Sequence, residues 1–384
     1  MTLVSRNFLV LILFVPLLGF SQNSDRETPN TDPLKIQFAP YGSFRGHFAV
    51  LDGQAEIQEN ASRIGFELSG TKRKIRYFVG VELGINLFRS AQLLNADANT
   101  NSGFIRFGQT QNLQVFSTRL GYLGADFGRY GILTIGKQWS VFYDITGYTD
   151  RFNVFGGQGS ATYVASSDGG ETGTGRANQT LTYRNTFGPL QIGGQLQMRT
   201  TQNGYLIDGF GASIQLEIWK GLKAGVGYNK VYFDDFLLEN TLGFANHPEY
   251  MALGLYYTSE NLDAGAVYVN HSSGDVARSL VEEEVIATVF DAKGFELYGK
   301  FKRPKYSILA GFNGYFPVVE DLPLSGDFKR QFYIIGAEYK PSRFAYIYAE
   351  YRYGKGVNSF GVEAQDVFTL GIRVDLQRSW EKML

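Results

Sequence analysis

From Pro33 onward the chain alternates apolar and polar residues with a period of two over runs of ten residues and more, which is the pattern of long strands rather than of helices. In the first run Ile36, Phe38, Phe44, Phe48 and Val50 share one face, and Lys35, Gln37, Ser43, Arg45 and His47 share the other. The second sets Ile64, Phe66 and Leu68 against Arg63, Gly65, Glu67 and Ser69, and the third sets Tyr77, Val79, Val81, Leu83 and Ile85 against Arg76, Gly80, Glu82 and Gly84. Strands of soluble sheets average about five to six residues. A tilted strand crossing a bilayer needs about 9–11.

Continuing in this way gives sixteen candidate strands, at roughly 35–50, 61–70, 73–88, 114–125, 130–138, 176–187, 189–200, 207–219, 222–234, 249–259, 262–272, 293–302, 305–317, 329–340, 343–354 and 366–376. Their connections alternate in length. Gly188-Pro189, Lys220-Gly221, Arg303-Pro304 and Pro341-Ser342 are short, whereas 89–113, 273–292 and 355–365 are long. An even number of long amphipathic strands, with short turns at one end and long loops at the other, predicts an all-β chain folded as a transmembrane antiparallel up-and-down β-barrel. Closure satisfies every backbone group without leaving a sheet edge in lipid. A large soluble sandwich would also alternate, but its strands would be shorter.

Composition agrees with a barrel wall. The 46 glycines suit tight turns and lumen faces that leave room for water, while charged residues make up only 19 % of the chain. Aromatics near strand ends, such as Tyr77, Tyr122, Phe332, Tyr346 and Tyr348, are candidates for interfacial girdles. Zero cysteines exclude a disulfide scaffold, thiolate metal sites and a lipoprotein anchor, and three histidines make a histidine-rich metal centre an unlikely design. No cofactor is expected. A net charge of −1 gives no global attraction to nucleic acid.

Arg6 followed by the apolar run Phe8–Leu18 and the small residues Gly19 and Ser21 predicts a secretory signal peptide over 1–21. That run is short of the roughly 20 apolar residues a membrane helix requires. A polar leader, 22–33, would then join it to a single barrel, 34–384.

The connection between the fifth and sixth strands, 139–175, is too long for an ordinary loop and is expected to be functional. Here the sequence resembles the general, trimeric Gram-negative outer-membrane porins. Gly136-Lys137-Gln138, Phe142-Tyr143-Asp144, Gly147-Tyr148-Thr149-Asp150 and Phe155-Gly156-Gly157 look like that family's strand-five exit and its inward-folded third loop. Ser62-Arg63-Ile64-Gly65-Phe66, and Arg176 with Thr182-Tyr183-Arg184-Asn185, match as well. The resemblance covers roughly the first half of the mature chain.

It implies a water-filled channel for passive diffusion of ions and small hydrophilic solutes, narrowed by loop three, in a homotrimer among outer-membrane lipids and lipopolysaccharide. Carried over by motif, Arg63, Lys137 and Arg176 form a basic wall, and Asp150, with Asp144, Phe155, Gly156 and Gly157, belongs to the loop that faces it. Strand parity independently puts Arg63 on the lumen face beside Glu67.

Two departures matter. The family pattern carries an acidic residue just before Phe-Gly-Gly and an aspartate just after, where this chain has Asn153-Val154 and Gln158, so the constriction is expected to favour anions more than usual. In the last strand Thr369, Gly371, Val374 and Leu376 resemble the barrel assembly signal, but Gln377–Leu384 follow where general porins end in phenylalanine.

The same residues bear on other functions. A barrel enzyme needs a nucleophile with a positioned base, yet the only imidazoles are His47, His247 and His271, and no Gly-x-Ser-x-Gly elbow occurs. A sugar channel would use an aromatic stripe, for which Tyr41, Trp139, Phe142, Tyr143, Tyr148, Phe152 and Phe155 are available. A phosphate channel would use a ladder of arginine and lysine, and a structural or adhesion barrel would conduct poorly.

Overall fold

A computed structural model describes residues 33–51, 53–88, 91–95, 106–111, 115–160, 168–199, 206–232, 246–281, 284–318, 328–357 and 361–383. The expected signal peptide and all but the last residue of the leader lie outside them.

Sixteen long strands form one closed antiparallel barrel: β1 (Lys35–Leu51), β2 (Arg63–Lys72), β3 (Ile75–Ile85), β4 (Phe116–Asp126), β5 (Ile132–Trp139), β6 (Arg176–Phe187), β7 (Leu190–Gln197), β8 (Gly209–Trp219), β9 (Leu222–Val231), β10 (Glu249–Thr258), β11 (Leu262–Val281), β12 (Glu284–Lys302), β13 (Tyr306–Val318), β14 (Lys329–Ser342), β15 (Ala345–Val357) and β16 (Val367–Gln377). Each strand pairs with the next, and β1 closes the circle by pairing with β2 over Lys35–Ser43 and with β16 over Tyr41–Leu51. Short segments supplement the wall, including Gln54–Glu59 against the upper half of β1.

The chain does not stop pairing where β16 ends. Trp380–Met383 continues along Lys35–Phe38 in unbroken register, and the interruption falls opposite Pro40, which has no N–H to donate. Trp380 stacks on Phe38 at 5.9 Å. The tail is therefore a continuation of the last strand.

Burial follows the period of two. In β14 the residues Tyr333 and Ile335 face outward, while Phe332 and Ile334 are buried inside. Outward apolar side chains such as Leu123, Ile214, Ile308 and Ile335 are more than half exposed, which in a closed barrel is the surface that lipid covers.

Of the five aromatics expected in girdles, Tyr77 faces outward, but Phe332 and Tyr348 are buried inside, and Tyr122 and Tyr346 lie against lumen-side groups. The reason is local. Where aromatics occur in consecutive or alternate positions, as in Phe332-Tyr333, composition alone does not say which of them takes the lipid face.

Lumen glycines also serve a different purpose from the one expected. A Cβ at Gly225 would meet Ile145 at 2.4 Å, at Gly265 the backbone oxygen of Tyr148 at 2.4 Å, and at Gly294 the backbone oxygen of Gly159 at 1.6 Å. These positions make room for the third loop, which lies flat on the inner wall from β7 to β15.

Candidate pore constriction

The third loop leaves β5 at Trp139. Its neck is held by the Ser140 hydroxyl, which donates to the Thr174 carbonyl at 2.8 Å and accepts the Tyr143 N–H at 3.0 Å. A single helical turn, Tyr143–Thr146, follows. Phe142, Ile145 and Tyr148 then bury themselves against Val231, Tyr250, Ala252, Val267 and Val269 of the wall. Burying a large apolar side chain stabilises by about 1.5–3 kcal/mol, so this patch alone holds the first half of the loop against the barrel.

Two carboxylates hold the second half. Glu350 on β15 accepts the N–H groups of Asn153 at 2.6 Å and Val154 at 3.0 Å. Glu296 on β12 accepts those of Gly159 at 2.7 Å and Ser160 at 2.6 Å, together with the Thr149 hydroxyl. Between them Phe155 is fully buried under the guanidinium of Arg352, which lies 5.3 Å from its ring and 4.3 Å from that of Phe332. Gly157 takes φ +69°, a conformation open to glycine. At Gly156 a Cβ would meet the Asp150 carboxylate at 2.5 Å, so the bend folds tightly on that residue.

The acidic residues named from sequence sit along this path, each engaged. Asp150 accepts the Tyr143 hydroxyl at 3.0 Å. Asp144 receives Arg184 through both oxygens, at 3.0 and 3.1 Å, and the Ser213 hydroxyl at 3.2 Å. Burial raises the Asp144 carboxyl above its ordinary range, with Arg184 and Ser213 pulling the other way.

Lys137 and Arg176 converge at the root of the loop, on Asp168, at 2.8 and 3.3 Å. Burial there would lift the Asp168 carboxyl, but the ammonium and guanidinium outweigh it and hold the group below its usual value. Arg176 also lies 5.7 Å from the ring of Trp139, which stacks on Tyr143 at 4.0 Å.

Arg63 stands elsewhere, on the stretch of wall that the loop leaves bare. Its Nε lies 3.9 Å from Glu82, which also accepts Arg119 at 2.8 Å and the Tyr41 hydroxyl at 2.9 Å. On the adjoining strands Arg45 is directly opposite Arg373. Arg373 binds Asp375 at 2.8 Å, and Arg45 reaches the same carboxylate through Ser43, to whose oxygen it donates at 2.8 Å. Four guanidiniums thus share two carboxylates on one face, and the geometry keeps Arg63 apart from Lys137 and Arg176.

Arg45, Arg119 and Arg373 are not among the constriction residues expected from the sequence. Parity alone would have found Arg45, which falls on the polar face of β1. Arg119 was hidden by a β-bulge: Glu82 pairs with Leu120 and Leu83 with Thr118, leaving Arg119 as the extra residue, turned inward against strict alternation.

The imidazoles show no catalytic arrangement among the described residues. His47 faces the Gln58 amide at 3.4 Å, and His271 is enclosed by Tyr250 and Tyr315.

Known proteins agree with the geometry. Outer membrane protein S2 of Salmonella typhi is 31 % identical over 288 residues, covering 67 % of this chain and 68 % of that one. Outer membrane porin F of Xenorhabdus nematophila is 26 % identical over 280 residues, covering 67 % and 73 %. Among solved structures, Salmonella typhi OmpF in complex with daunomycin superposes with a TM-score of 0.68 at 17 % identity, over 89 % of this chain and 97 % of that one. A barrel of this kind is a channel of the outer membrane and not an enzyme. Residues 41–369 match the family described as Gram-negative porin, and to that family this chain belongs.

Proposed function

We propose that this outer-membrane porin is a general diffusion channel with a mild preference for anions, its eyelet lying between the third loop and the wall of Arg45, Arg63, Arg119 and Arg373. The observation that carries the preference is the sharing of two carboxylates, Glu82 and Asp375, among those four guanidiniums. Across the channel, the loop answers them chiefly with Asp150, since its other carboxylates are met by Lys137, Arg184 and Arg199. Asp144 is matched by Arg184, and Val154 and Gln158 stand where the family pattern is acidic. Unbalanced charge in a narrow, partly desolvated passage acts on a solute more strongly than in bulk water.

Lys137 and Arg176 contribute at the loop root, where Asp168 answers them. The loop aromatics do not support a sugar track. Phe142 and Phe155 are fully buried, and Trp139 and Tyr143 stack on each other.

Ions and small hydrophilic solutes are the proposed cargo, and three copies the proposed assembly. Protomer contact suits the flank of β16, β1 and β2, where Phe48, Ile57, Leu87, Leu370 and Ile372 continue the exposed apolar surface up to the loops. Reversal potential in a KCl gradient across a planar bilayer tests the selectivity. Anion preference supports it, and a clear cation preference overturns it. Ohmic conductance without block by sugars separates a general pore from a sugar channel.

A further inference from the structure

Below the guanidiniums of the bare wall, toward the periplasmic turns, three aromatic rings line the lumen: Tyr41 on β1, Phe78 on β3 and Tyr122 on β4. Glycines let them lie flat. A Cβ at Gly65 would meet the Tyr41 ring at 2.5 Å, one at Gly80 the Tyr122 ring at 2.4 Å, and one at Gly124 the Phe78 ring at 2.7 Å. Gly65 pairs with Glu82 and Gly80 with Glu67, so the Tyr41 and Tyr122 rings rest on diagonal neighbours about 7–8 Å apart. Tyr122 meets Phe78 edge-on at 6.2 Å, and the Arg76 guanidinium covers Phe78 at 5.0 Å. The three rings form one continuous shelf.

This shelf differs from the other aromatics inside the barrel. Phe142, Phe155, Tyr250, Tyr315, Phe332 and Tyr348 are buried. Tyr41 and Tyr122 are only half-buried, each with one face on a glycine and the other turned to a lumen that the third loop leaves open here. The Tyr122 hydroxyl has no hydrogen-bond partner among the described residues.

Charge is distributed unevenly along the shelf. At its upper end the Tyr41 hydroxyl and Arg119 donate to the two oxygens of one carboxylate, Glu82, at 2.9 and 2.8 Å, and Arg63 lies 3.9 Å from the same group. Ring and guanidinium are therefore immediate neighbours. At the lower end Arg76 is answered by Glu67, and Asp126 stands directly opposite it in the ladder, accepting the Gly128 N–H at 2.8 Å. The excess of positive charge is at the top.

We infer that this shelf is a binding site for small aromatic carboxylates in transit, the ring lying on Tyr122 and Tyr41 and the carboxylate reaching up to Arg119 and Arg63. The inference rests on the anion preference proposed above and names the anions that gain most from it. An aromatic face offered to water gains by offset stacking beyond the area it buries. A guanidinium bonds a carboxylate through charge-assisted and often paired hydrogen bonds. An aliphatic carboxylate makes only the second contact and a neutral arene only the first, so the solute that carries both groups is selected.

The test is a current titration of the full-length porin in a planar bilayer, with benzoate, cyclohexanecarboxylate or benzamide added to KCl and the half-blocking concentration read for each. Wild type should be half-blocked by benzoate at a concentration about two- to tenfold lower than by cyclohexanecarboxylate, which matches it in charge and size but has no aromatic face. Benzamide, which keeps the ring and loses the charge, should also block less well than benzoate. Tyr122→Leu should abolish the advantage of benzoate over cyclohexanecarboxylate, and Tyr122→Phe, which keeps the ring, should preserve it. Comparing two solutes within each variant cancels any change in folding or conductance. Equal block by benzoate and cyclohexanecarboxylate in wild type overturns the inference, as does equal block by benzamide, or an advantage that survives Tyr122→Leu. The KCl reversal potential in the same membranes reports the eyelet separately: a cation preference there overturns the selectivity reading, while the comparison of the two carboxylates still decides the shelf.

Discussion

Arg45 lies directly across from Arg373 in the pairing of the first and last strands, both on the lumen face and with one carboxylate, Asp375, between them. Like charges opposite each other destabilise a sheet by roughly 0.2–1 kcal/mol, so the seam that closes the barrel gives up stability to keep positive charge in the channel. Replacing Arg45 with glutamine should move the reversal potential toward cations while leaving thermal stability unchanged or raised by about that amount. An unmoved potential would remove Arg45 from the eyelet.

Glu350 holds the loop tip through backbone donors. Glu350→Ala leaves the N–H groups of Asn153 and Val154 without their acceptor, at about 1–3 kcal/mol for each buried group. The wall itself loses no ladder bond. The expected outcome is a folded barrel with larger and noisier single-channel currents. Currents indistinguishable from wild type would show that the apolar patch of Phe142, Ile145 and Tyr148 suffices to fix the loop.

The wall was legible in the sequence because its signal is repeated sixteen times and each strand's alternation is set by water on one side and lipid on the other. What alternation does not carry is any departure from itself. Arg119 turns inward only because a bulge inserts it, and Phe332 and Tyr333 compete for one face with nothing local to decide between them. The loop motif placed Asp144, Asp150 and Phe155 on the third loop, and Asp150 finds its partner, Tyr143, within it, but the groups that bind the rest of the loop come from wall strands. Arg184, Glu296 and Glu350 acquire their roles only once the barrel has closed around the loop.

Gly265 is one of the wall positions where the loop leaves no room for a side chain. In Gly265→Val the new Cβ would meet the Tyr148 carbonyl at 2.4 Å, which is backbone and cannot rotate away, so the loop must lift. Overpacking of this kind costs about 1–3 kcal/mol. Thermal unfolding should fall accordingly and conductance should change. Gly121→Ala is the control, because nothing lies within 4 Å of its added Cβ. Equal behaviour of the two variants would contradict the fit of loop to wall.

Lys137 should act through the carboxylate it restrains. Lys137→Gln removes one of the two cations on Asp168, leaving that group shared with Arg176 alone. Net positive charge at the loop root falls by one, and the reversal potential should shift toward cations by less than in Arg45→Gln, because the loop root stands apart from the arginine wall that lines the proposed eyelet. A shift larger than that of Arg45→Gln would move the seat of selectivity from the bare wall to the loop root.

Gln158 tests the electrostatics in the opposite sense, by gain. Its Oε1 accepts Arg352 Nη1 at 3.3 Å, and that guanidinium is buried with no carboxylate in ion-pair range among the described residues. Gln158→Glu keeps the side chain's length and supplies the missing negative charge. A hydrogen bond to a charged partner contributes about 1.5–3 kcal/mol against about 1 for a neutral one, and here it would also compensate a cation already buried, whose desolvation has been met without a partner. The loop tip should become more stable and the channel more cation-selective together. The readouts are thermal unfolding and reversal potential on the same preparation. A variant that shifts selectivity while losing stability would mean that the new carboxylate turns into the channel and not toward Arg352.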